Sequence, residues 1–149
     1  MKQNTELLHK LRRIVKFYDT LKRGPCARHG LTSIEFDILA FLANNPGKDT
    51  ARDIVELRML PKGNVSQGVE SLIQKGLLSR RQDREDRRRI HLALTPQAEV
   101  LLPDITGIAA TFQKEAFRGF SREDADAFQK LYDRILDNIA QYGQEEDRA

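Results

Sequence analysis

Residues 80–95, RRQDREDRRRIHLALT, join a dense cluster of charge to a segment of alternating apolar residues. Six arginines and three acidic residues fall within the first ten positions. Guanidinium groups bind phosphate and enter narrow, electronegative grooves, and neighbouring acids can orient them. From Ile90 onwards apolar and other residues alternate, which predicts a strand with one buried face. The segment is therefore predicted to be a charged turn anchored by a strand, and a merely solvated charged surface is the alternative interpretation.

A second candidate surface lies in PKGNVSQGVESLIQK, residues 61–75. At about 100° per residue of helix, one side is apolar and is predicted to be core. That side consists of Val65, Val69, Leu72 and Ile73. The opposite side is small and rich in amides: Gly63, Asn64, Gln67, Glu70, Ser71 and Gln74, with Ser66 at its flank. An amide offers a donor and an acceptor together, as pairing with a base edge in a major groove requires. An ordinary polar helix face is the alternative.

Helices must position these two surfaces, and their limits follow from apolar spacing and capping residues. Steps of three and four residues predict a first helix that ends near residues 23–25 and carries Leu7, Leu11, Ile14, Tyr18 and Leu21. TSIE at 32–35 has the form of a capping box and predicts a second helix to about Ala43. Thr50 with Asp53 predicts a short third helix. The fourth is predicted from about Pro61 to Lys75, with Gly76 as its left-handed stop.

The second half of the chain continues with a hairpin and two helices. Strands are predicted at 77–82 and 89–94. Thr95 followed by Pro96 predicts the start of a fifth helix, with a kink at Pro103. Ser121 with Asp124 predicts the cap of a sixth helix, whose apolar residues are Phe128, Leu131, Ile135, Ile139 and Tyr142. The fold class is therefore mainly α with a small β-hairpin, in the order of a winged helix-turn-helix.

Charge and composition limit the classes of protein. The net charge is +3 with a pI of about 9.1. Residues 1–31 have a net charge of +6 and residues 98–149 one of −5, so the two ends are electrically complementary. One cysteine, Cys26, argues against an internal disulfide framework and fits a cytoplasmic location. No apolar run approaches the roughly 20 residues of a membrane helix, and the charged N-terminal segment predicts no signal peptide.

Three segments resemble the MarR (multiple antibiotic resistance regulator) family of bacterial transcription regulators: LTSIEFDILAFLANNPG, the run from Thr50 to Ala98, and FSREDADAFQKL. The most specific part runs from Val65 to Thr95. It contains S-x-x-V-x-x-L-x-x-K-G-L-L-x-R from Ser66, then D-x-R at Asp86 and Arg88, then LALT. Two features depart from the family pattern: Ala98 replaces the usual glycine, and the fourth helix lacks an outward arginine.

The resemblance implies a cytoplasmic, ligand-responsive repressor that binds a pseudo-palindromic operator as a homodimer. It implies one domain over residues 1–149, with dimerisation helices at 5–24 and 96–142, a winged DNA-binding lobe at 32–95 and a frayed tail at 143–149. The apolar stripes of the first and last helices support a dimer independently, because they are long for so small a chain.

The roles of individual residues follow from these two surfaces and the resemblance. Asn64, Ser66, Gln67 and Ser71 are expected at base edges or adjacent phosphates. Arg52 and Lys62, at the starts of their helices, are expected to reach phosphate. Arg88 is expected in the minor groove, with its guanidinium positioned by Asp86 and with Arg84 and Arg87 beside it.

Regulation and rival functions remain as hypotheses. Relatives often release DNA on binding small aromatic compounds, for which Arg13, Phe17, Tyr18 and Phe36 are candidate lining residues, although each also fits core or interface. Cys26 stands near Arg23, Arg28 and His29, which could lower its pKa and allow redox sensing. No catalytic or metal-binding residues and no cofactor are expected, since Cys26 and His29 supply only two ligands. The rival class is a winged-helix protein-interaction module without DNA binding.

Overall fold

The structure is a computed structural model that describes residues 4–148. In this range it contains one antiparallel hairpin and the helices α1 (Asn4–His29), α2 (Ser33–Asn44), α3 (Ala51–Arg58), α4 (Lys62–Gln74), α5 (Pro96–Ala116) and α6 (Arg122–Arg148). The hairpin strands are β1 (Leu78–Gln82) and β2 (Ile90–Leu94). This order confirms the predicted fold class. The chain divides into two compact units between Phe112 and Gln113.

Helix α1 is longer than predicted, because Pro25 lies inside it rather than at its end. The Pro25 side chain is buried, so packing compensates for the backbone donor that proline lacks. The helix ends instead at His29, before Gly30, whose φ of 63° is left-handed. There the Leu31 N–H donates to the Cys26 carbonyl at 2.9 Å, as in a Schellman cap.

The capping box predicted at 32–35 is confirmed, and Thr50 with Asp53, predicted to start α3, forms a second one. The Glu35 N–H donates to Thr32 Oγ1 at 3.2 Å, and the Thr32 N–H donates to Glu35 Oε1 at 3.1 Å. Thr50 and Asp53 repeat the arrangement at the start of α3. These bonds satisfy backbone donors that the first turn leaves unpaired, so the two helices start where the sequence predicts.

The hairpin follows α4 after the left-handed Gly76, which has a φ of 75°. Its register pairs Leu78 with Leu94 and Arg80 with Leu92. Thr95 Oγ1 donates to the Gly76 carbonyl at 2.6 Å and so joins the end of β2 to the start of β1. The two predicted strands are confirmed to within a residue at each end.

The core of the first unit forms where α2, α3, α4 and the hairpin meet. Its fully buried side chains include Phe36, Ile38, Leu39, Ile54, Val65 and Leu72, and α5 adds Ala98 and Ile105. The predicted core side of α4 is confirmed for Val65, Val69 and Leu72, while Ile73 is half-buried. The core therefore holds α4 with its amide-rich side outward.

Helix α6 begins after Ser121, whose hydroxyl accepts the Asp124 N–H at 3.0 Å, as predicted. None of its residues is buried. It continues to Arg148, so residues 143–148, predicted as a frayed tail, are helical, and Ala149 lies outside the described residues. Tyr142 Oη donates to Glu146 Oε1 at 2.9 Å, one turn further on, and supports this end. None of the helices within residues 4–148 combines the length and apolar character that crossing a membrane requires.

Candidate nucleic-acid interface

The outward side of α4 presents three of the predicted base-contacting residues to solvent. Asn64, Ser66 and Gln67 are exposed, while Val65 and Val69 behind them are buried. The buried residues anchor the helix and leave the two amides and the hydroxyl available to a partner. These three side chains are therefore accessible to solvent, as any contact with a base edge requires.

Ser71 differs from the other predicted contacts. It is half-buried, and its hydroxyl donates to Glu35 Oε2 at 3.4 Å, toward the interior of the helix-turn-helix. The prediction for Ser71 is therefore corrected, because a buried carboxylate on α2 takes its hydrogen bond. Glu70, on the exposed side of α4, forms an ion pair with Arg80 of β1 and ties the helix to the hairpin.

Gly68 has a packing role that sequence analysis missed. A Cβ atom at this position would lie 2.7 Å from Ile38 Cδ1, and Ile38 is fully buried. The glycine therefore lets α4 approach α2 closely, which sets the position of the exposed side of α4. Helical spacing places Gly68 beside Val65, Val69 and Leu72 and places Gly63 on the exposed side, but only the packed structure shows that Gly68 faces Ile38.

Arg52 and Lys62 border the same groove, which lies between α3, α4 and the hairpin. This groove has a volume of about 810 Å³ and is bordered by Arg52, Lys62, Ser66 and Arg80. Its floor is apolar, with Val55, Val65, Val69, Ile90 and Leu92. Arg52 Nε donates to Glu56 Oε1 at 2.8 Å, and this partner raises the pKa of the exposed Arg52.

A second groove, of about 730 Å³, connects the start of α3 with the tip of the hairpin. Arg52, Asp86, Arg88 and Arg89 border it. Arg52 thus lies on both grooves, and the predicted phosphate contact and the predicted minor-groove residue share one surface. Arg84 and Arg87, at the same tip, are exposed.

The hairpin tip is shaped by carboxylates that accept backbone hydrogen bonds. Asp83 Oδ1 accepts the N–H groups of Glu85 and Asp86 at 2.8 and 3.1 Å. Asp86 Oδ1 accepts the Arg88 N–H at 3.0 Å. Asp86 therefore acts on the Arg88 backbone, which corrects the prediction that it holds a guanidinium. In so tight a turn the nearest donor to a short acidic side chain is the backbone two residues on.

His91, on β2, is enclosed between two carboxylates. Its Nδ1 lies 2.7 Å from Asp49 Oδ1, and its Nε2 lies 2.7 Å from Asp83 Oδ2. The imidazole is only 15% exposed. The hydrogen bonds to Asp83 and Asp49 raise the pKa of His91, and the bond to His91 lowers the pKa of Asp83. The two carboxylates lie at opposite ring nitrogens, so they do not converge on one point as metal ligands would.

Two buried ionic groups, also missed from sequence, fix the helices behind the surface. Lys22 of α1 donates to Asp37 Oδ1 at 3.0 Å and to Ser33 Oγ at 2.7 Å, and Arg58 reaches the same Asp37 oxygen at 3.2 Å. This group joins α1, α2 and α3. The second group joins Glu35 of α2 with Lys75 at the end of α4. Buried charges are paired in both, as burial requires.

The four candidate ligand-lining residues differ in burial and packing. Phe36 is fully buried core, which corrects that part of the prediction. Phe17 and Tyr18 pack on Phe112, with ring centroids 5.8 Å apart in each pair. Arg13 is exposed. None of the four borders either groove described above.

Cys26 lacks the environment expected of a reactive thiol. Burial raises its pKa, and Asp37 and Glu35 act in the same direction against the opposing effect of Lys22. His29, expected to help lower that pKa, lies 2.8 Å from Asp104 instead. The premise for redox sensing is therefore corrected, because His29 contacts Asp104 and the surroundings of Cys26 raise the pKa of its thiol.

Comparison with known proteins agrees with this geometry. The sequence model described as MarR family matches residues 29–89, which span α2, α3, α4, β1 and the turn before β2. The crystal structure of transcriptional regulator PA3341 superimposes with a TM-score of 0.78 at 27% identity and covers 92% of this chain and 97% of that one. The chain belongs to the MarR family.

Other relatives extend the MarR-family match. The uncharacterized HTH-type transcriptional regulator YkoM of Bacillus subtilis (strain 168) is 32% identical over 98 residues, which span 66% of this chain and 63% of YkoM. The structure of BpsR from Bordetella bronchiseptica, whose DNA binding is regulated by 6-hydroxynicotinic acid, has the same fold with a TM-score of 0.70 at 23% identity. It covers 88% of this chain and 98% of BpsR. The chain thus has the winged helix-turn-helix fold of these proteins, and its match to YkoM spans less than two thirds of that relative.

Proposed function

We propose that this MarR-family regulator binds double-stranded DNA as a homodimer and represses transcription from a pseudo-palindromic operator. The observation that carries the proposal is the shared surface of Arg52, Lys62, Ser66 and Arg88 along the two grooves between α3, α4 and the hairpin. Helix α4 and the hairpin tip thus present base-reading and phosphate-binding groups on one continuous surface.

Each group of residues has a distinct role in the proposal. Asn64, Ser66 and Gln67 contact base edges in the major groove, because their amides and hydroxyl supply both donors and acceptors. Arg52 and Lys62 bind phosphate. Arg88 enters the minor groove with Arg84 and Arg87 beside it, while Asp86 shapes the turn that presents them.

The proposed dimer rests on apolar side chains that the described chain leaves in solvent. Helix α1 exposes Leu7, Leu11 and Ile14, and α6 exposes Leu131, Ile135 and Ile139. Ile139 is 62% exposed, on a helix with no buried residue. A second copy of the chain would cover these stripes. Two recognition helices about 34–36 Å apart would then read half-sites one turn of duplex apart.

The decisive experiment is selection of bound sequences from random duplexes, followed by fluorescence anisotropy with the recovered site. We expect an inverted repeat, and affinity for generic duplex that falls steeply with salt because phosphate contacts release counterions. Failure to enrich any sequence, together with no binding at low ionic strength, would overturn the proposal. That outcome would favour the rival interaction module, which retains the fold without binding DNA.

The direction of regulation and the effector are tested separately. Repression predicts that deleting the gene raises expression from the promoters that contain the selected site. BpsR shares the fold and responds to an aromatic acid, so 6-hydroxynicotinic acid is the first effector to test here. We expect an aromatic acid to weaken operator binding and to raise the melting temperature of the protein, because a ligand of the folded state stabilises it.

A further inference from the structure

We propose that the imidazolium form of His91 holds the wing, which is the β1–β2 hairpin, in position to bind DNA. It does so by joining the loop before α3 to the turn of the hairpin. Proton loss from this one residue therefore weakens operator binding. The effect on DNA rests on the function proposed above. The pair of contacts that His91 makes with Asp49 and Asp83, which we call the clamp, does not depend on that function.

The clamp spans three parts of the first unit. Asp49 lies in the loop between α2 and α3, His91 on β2, and Asp83 just after β1 where the hairpin turn begins. The imidazole lies 2.7 Å from a carboxylate oxygen on each side. A backbone hydrogen bond joins the same loop to β2, because the Leu92 N–H donates to the Asp49 carbonyl at 2.7 Å.

Both hydrogen bonds require the doubly protonated ring. A neutral imidazole has one N–H and one acceptor nitrogen, and an ionised carboxylate only accepts. Two carboxylates at opposite nitrogens can therefore both be satisfied only by the cation. On losing its proton, His91 must release Asp49 or Asp83, or leave a nitrogen lone pair facing a negative oxygen.

Release of Asp83 would change the conformation of the hairpin tip that is proposed to bind DNA. The other oxygen of Asp83 accepts the backbone N–H groups of Glu85 and Asp86, and Asp86 in turn accepts the Arg88 N–H. His91 is thus connected to the proposed minor-groove residue through two short carboxylate links. We infer that the cation holds the turn in the form that presents Arg88.

The remaining charges around the clamp lie on the loop, on α3 and on the hairpin. Lys48 precedes Asp49, Asp53 begins the first turn of α3, Arg81 is the cross-strand register partner of His91, and Arg89 lies two residues before it. Burial opposes the charge of Asp53, but hydrogen bonds with Thr50 outweigh it and lower the pKa of Asp53, with smaller contributions from Lys48 and Arg89. The partners that raise the pKa of His91 are Asp83 and Asp49, consistent with the contacts.

The sign of the pH dependence follows from these shifts. Because the folded pKa of His91 is raised, the clamp is complete below the ordinary histidine value and is lost as the pH rises through the higher folded value. The lowered pKa of Asp83 keeps that carboxylate charged well into the acid range. Wing order and operator affinity should therefore fall as the pH rises above the ordinary histidine value.

The clamp is tested first without DNA, by the imidazole nitrogen resonances of the full chain during a pH titration. We expect the midpoint of His91 to lie above the value of about 6.5 for a free imidazole, with both nitrogens protonated below that midpoint. In Asp83→Asn the midpoint should move down, because one charged acceptor is gone. A wild-type midpoint at or below the free value would overturn the proposal.

The second test measures operator affinity between about pH 6 and pH 9, where most other side chains keep their charge. We expect a loss of about tenfold for the wild type. His91→Gln should bind more weakly at the acid end and change little with pH. His29→Gln is the matched control, since His29 also faces a carboxylate but lies at the end of α1, and it should keep the wild-type profile.

The outcomes separate the clamp from the proposed function. Parallel pH profiles for the wild type and His91→Gln would overturn the proposed effect of the clamp on DNA. If His91→Gln fails to fold, as judged by circular dichroism, Asp83→Asn supplies the same comparison through its shifted midpoint, and an unshifted midpoint would overturn it. Absence of DNA binding at every pH would reject the proposed function, and the nitrogen titration would still decide the clamp.

Discussion

Lys75 Nζ lies 2.7 Å from Glu35 Oε2 and joins the end of α4 to the first turn of α2. The same ammonium group donates to the Gly30 carbonyl at 2.7 Å, so the end of α1 is held as well. Glu35 is 1% exposed, and its second oxygen accepts the Thr32 N–H of the capping box. One ion pair therefore connects three helices behind the proposed recognition surface.

Lys75→Met should lower the free energy of unfolding by about 2 kcal/mol, because it leaves the Glu35 carboxylate buried without its counter-charge. The loss is smaller than for a fully buried pair, since the Lys75 side chain is 37% exposed. Urea denaturation at neutral pH measures it. Lys48→Met, at an exposed loop position, is the control, and equal stability of both variants would contradict the prediction.

The contribution of this pair should also depend on pH. Burial opposes the charge of Glu35, but hydrogen bonds from Lys75 and Thr32 outweigh it and lower the pKa. The stabilisation is therefore present above the ordinary glutamate pKa and is lost as the pH falls through the lower folded value. The stability difference between the wild type and Lys75→Met should shrink in acid, and a constant difference would argue against the pair.

Gly68→Ala should destabilise the fold by about 1–3 kcal/mol, because the new methyl group would overlap Ile38 Cδ1 in the α2–α4 contact. Gly63→Ala on the same helix is the matched control. No atom lies within 4 Å of the Cβ that it would add, so the better helix propensity of alanine should leave stability unchanged or slightly raised. Thermal melting of the two variants measures the contrast, and similar melting temperatures would contradict the assigned packing.

Arg88→Ala should weaken operator binding by at least about tenfold, or about 1.4 kcal/mol, while the oligomeric state persists. The side chain is exposed at the hairpin tip, so the fold should tolerate its removal. A gel-shift titration measures the loss. Arg23→Ala, at an exposed position of α1, is the control for general loss of positive charge, and unchanged affinity of Arg88→Ala would remove the wing from the mechanism.

Ile135→Asp should convert the proposed dimer to monomers, because Ile135 is 51% exposed in the apolar stripe of α6 and a charge there would be buried by a second copy. Light scattering after size-exclusion chromatography measures the mass. Gln141→Asp, on the opposite side of the same helix, should leave the mass unchanged. A wild type that is monomeric at working concentrations would refute the dimer.

Mild peroxide should affect operator binding equally in the wild type and in Cys26→Ser, because burial raises the pKa of the thiol and keeps the reactive thiolate scarce. Anisotropy before and after treatment measures the effect. A loss confined to the wild type would restore the redox hypothesis.

Local signals predicted much of the fold. The capping residues Thr32, Thr50 and Ser121 mark the starts of their helices, and the alternation around Leu92 marks a strand. These signals act within one helical turn or between adjacent residues, so a single sequence contains them. Pro25 is the exception, since whether a proline ends a helix depends on what packs around it.

The sequence by itself determined the order of elements, the buried side of α4 and the exposed amides of Asn64 and Gln67, because periodicity and capping are short-range properties of the chain. Only the tertiary structure decided which polar groups face one another. His91 and Asp49 are 42 positions apart, and Lys75 and Glu35 are 40. Such pairs depend on how helices and hairpin pack around the core, and the burial that makes them strong exists only after that packing has formed.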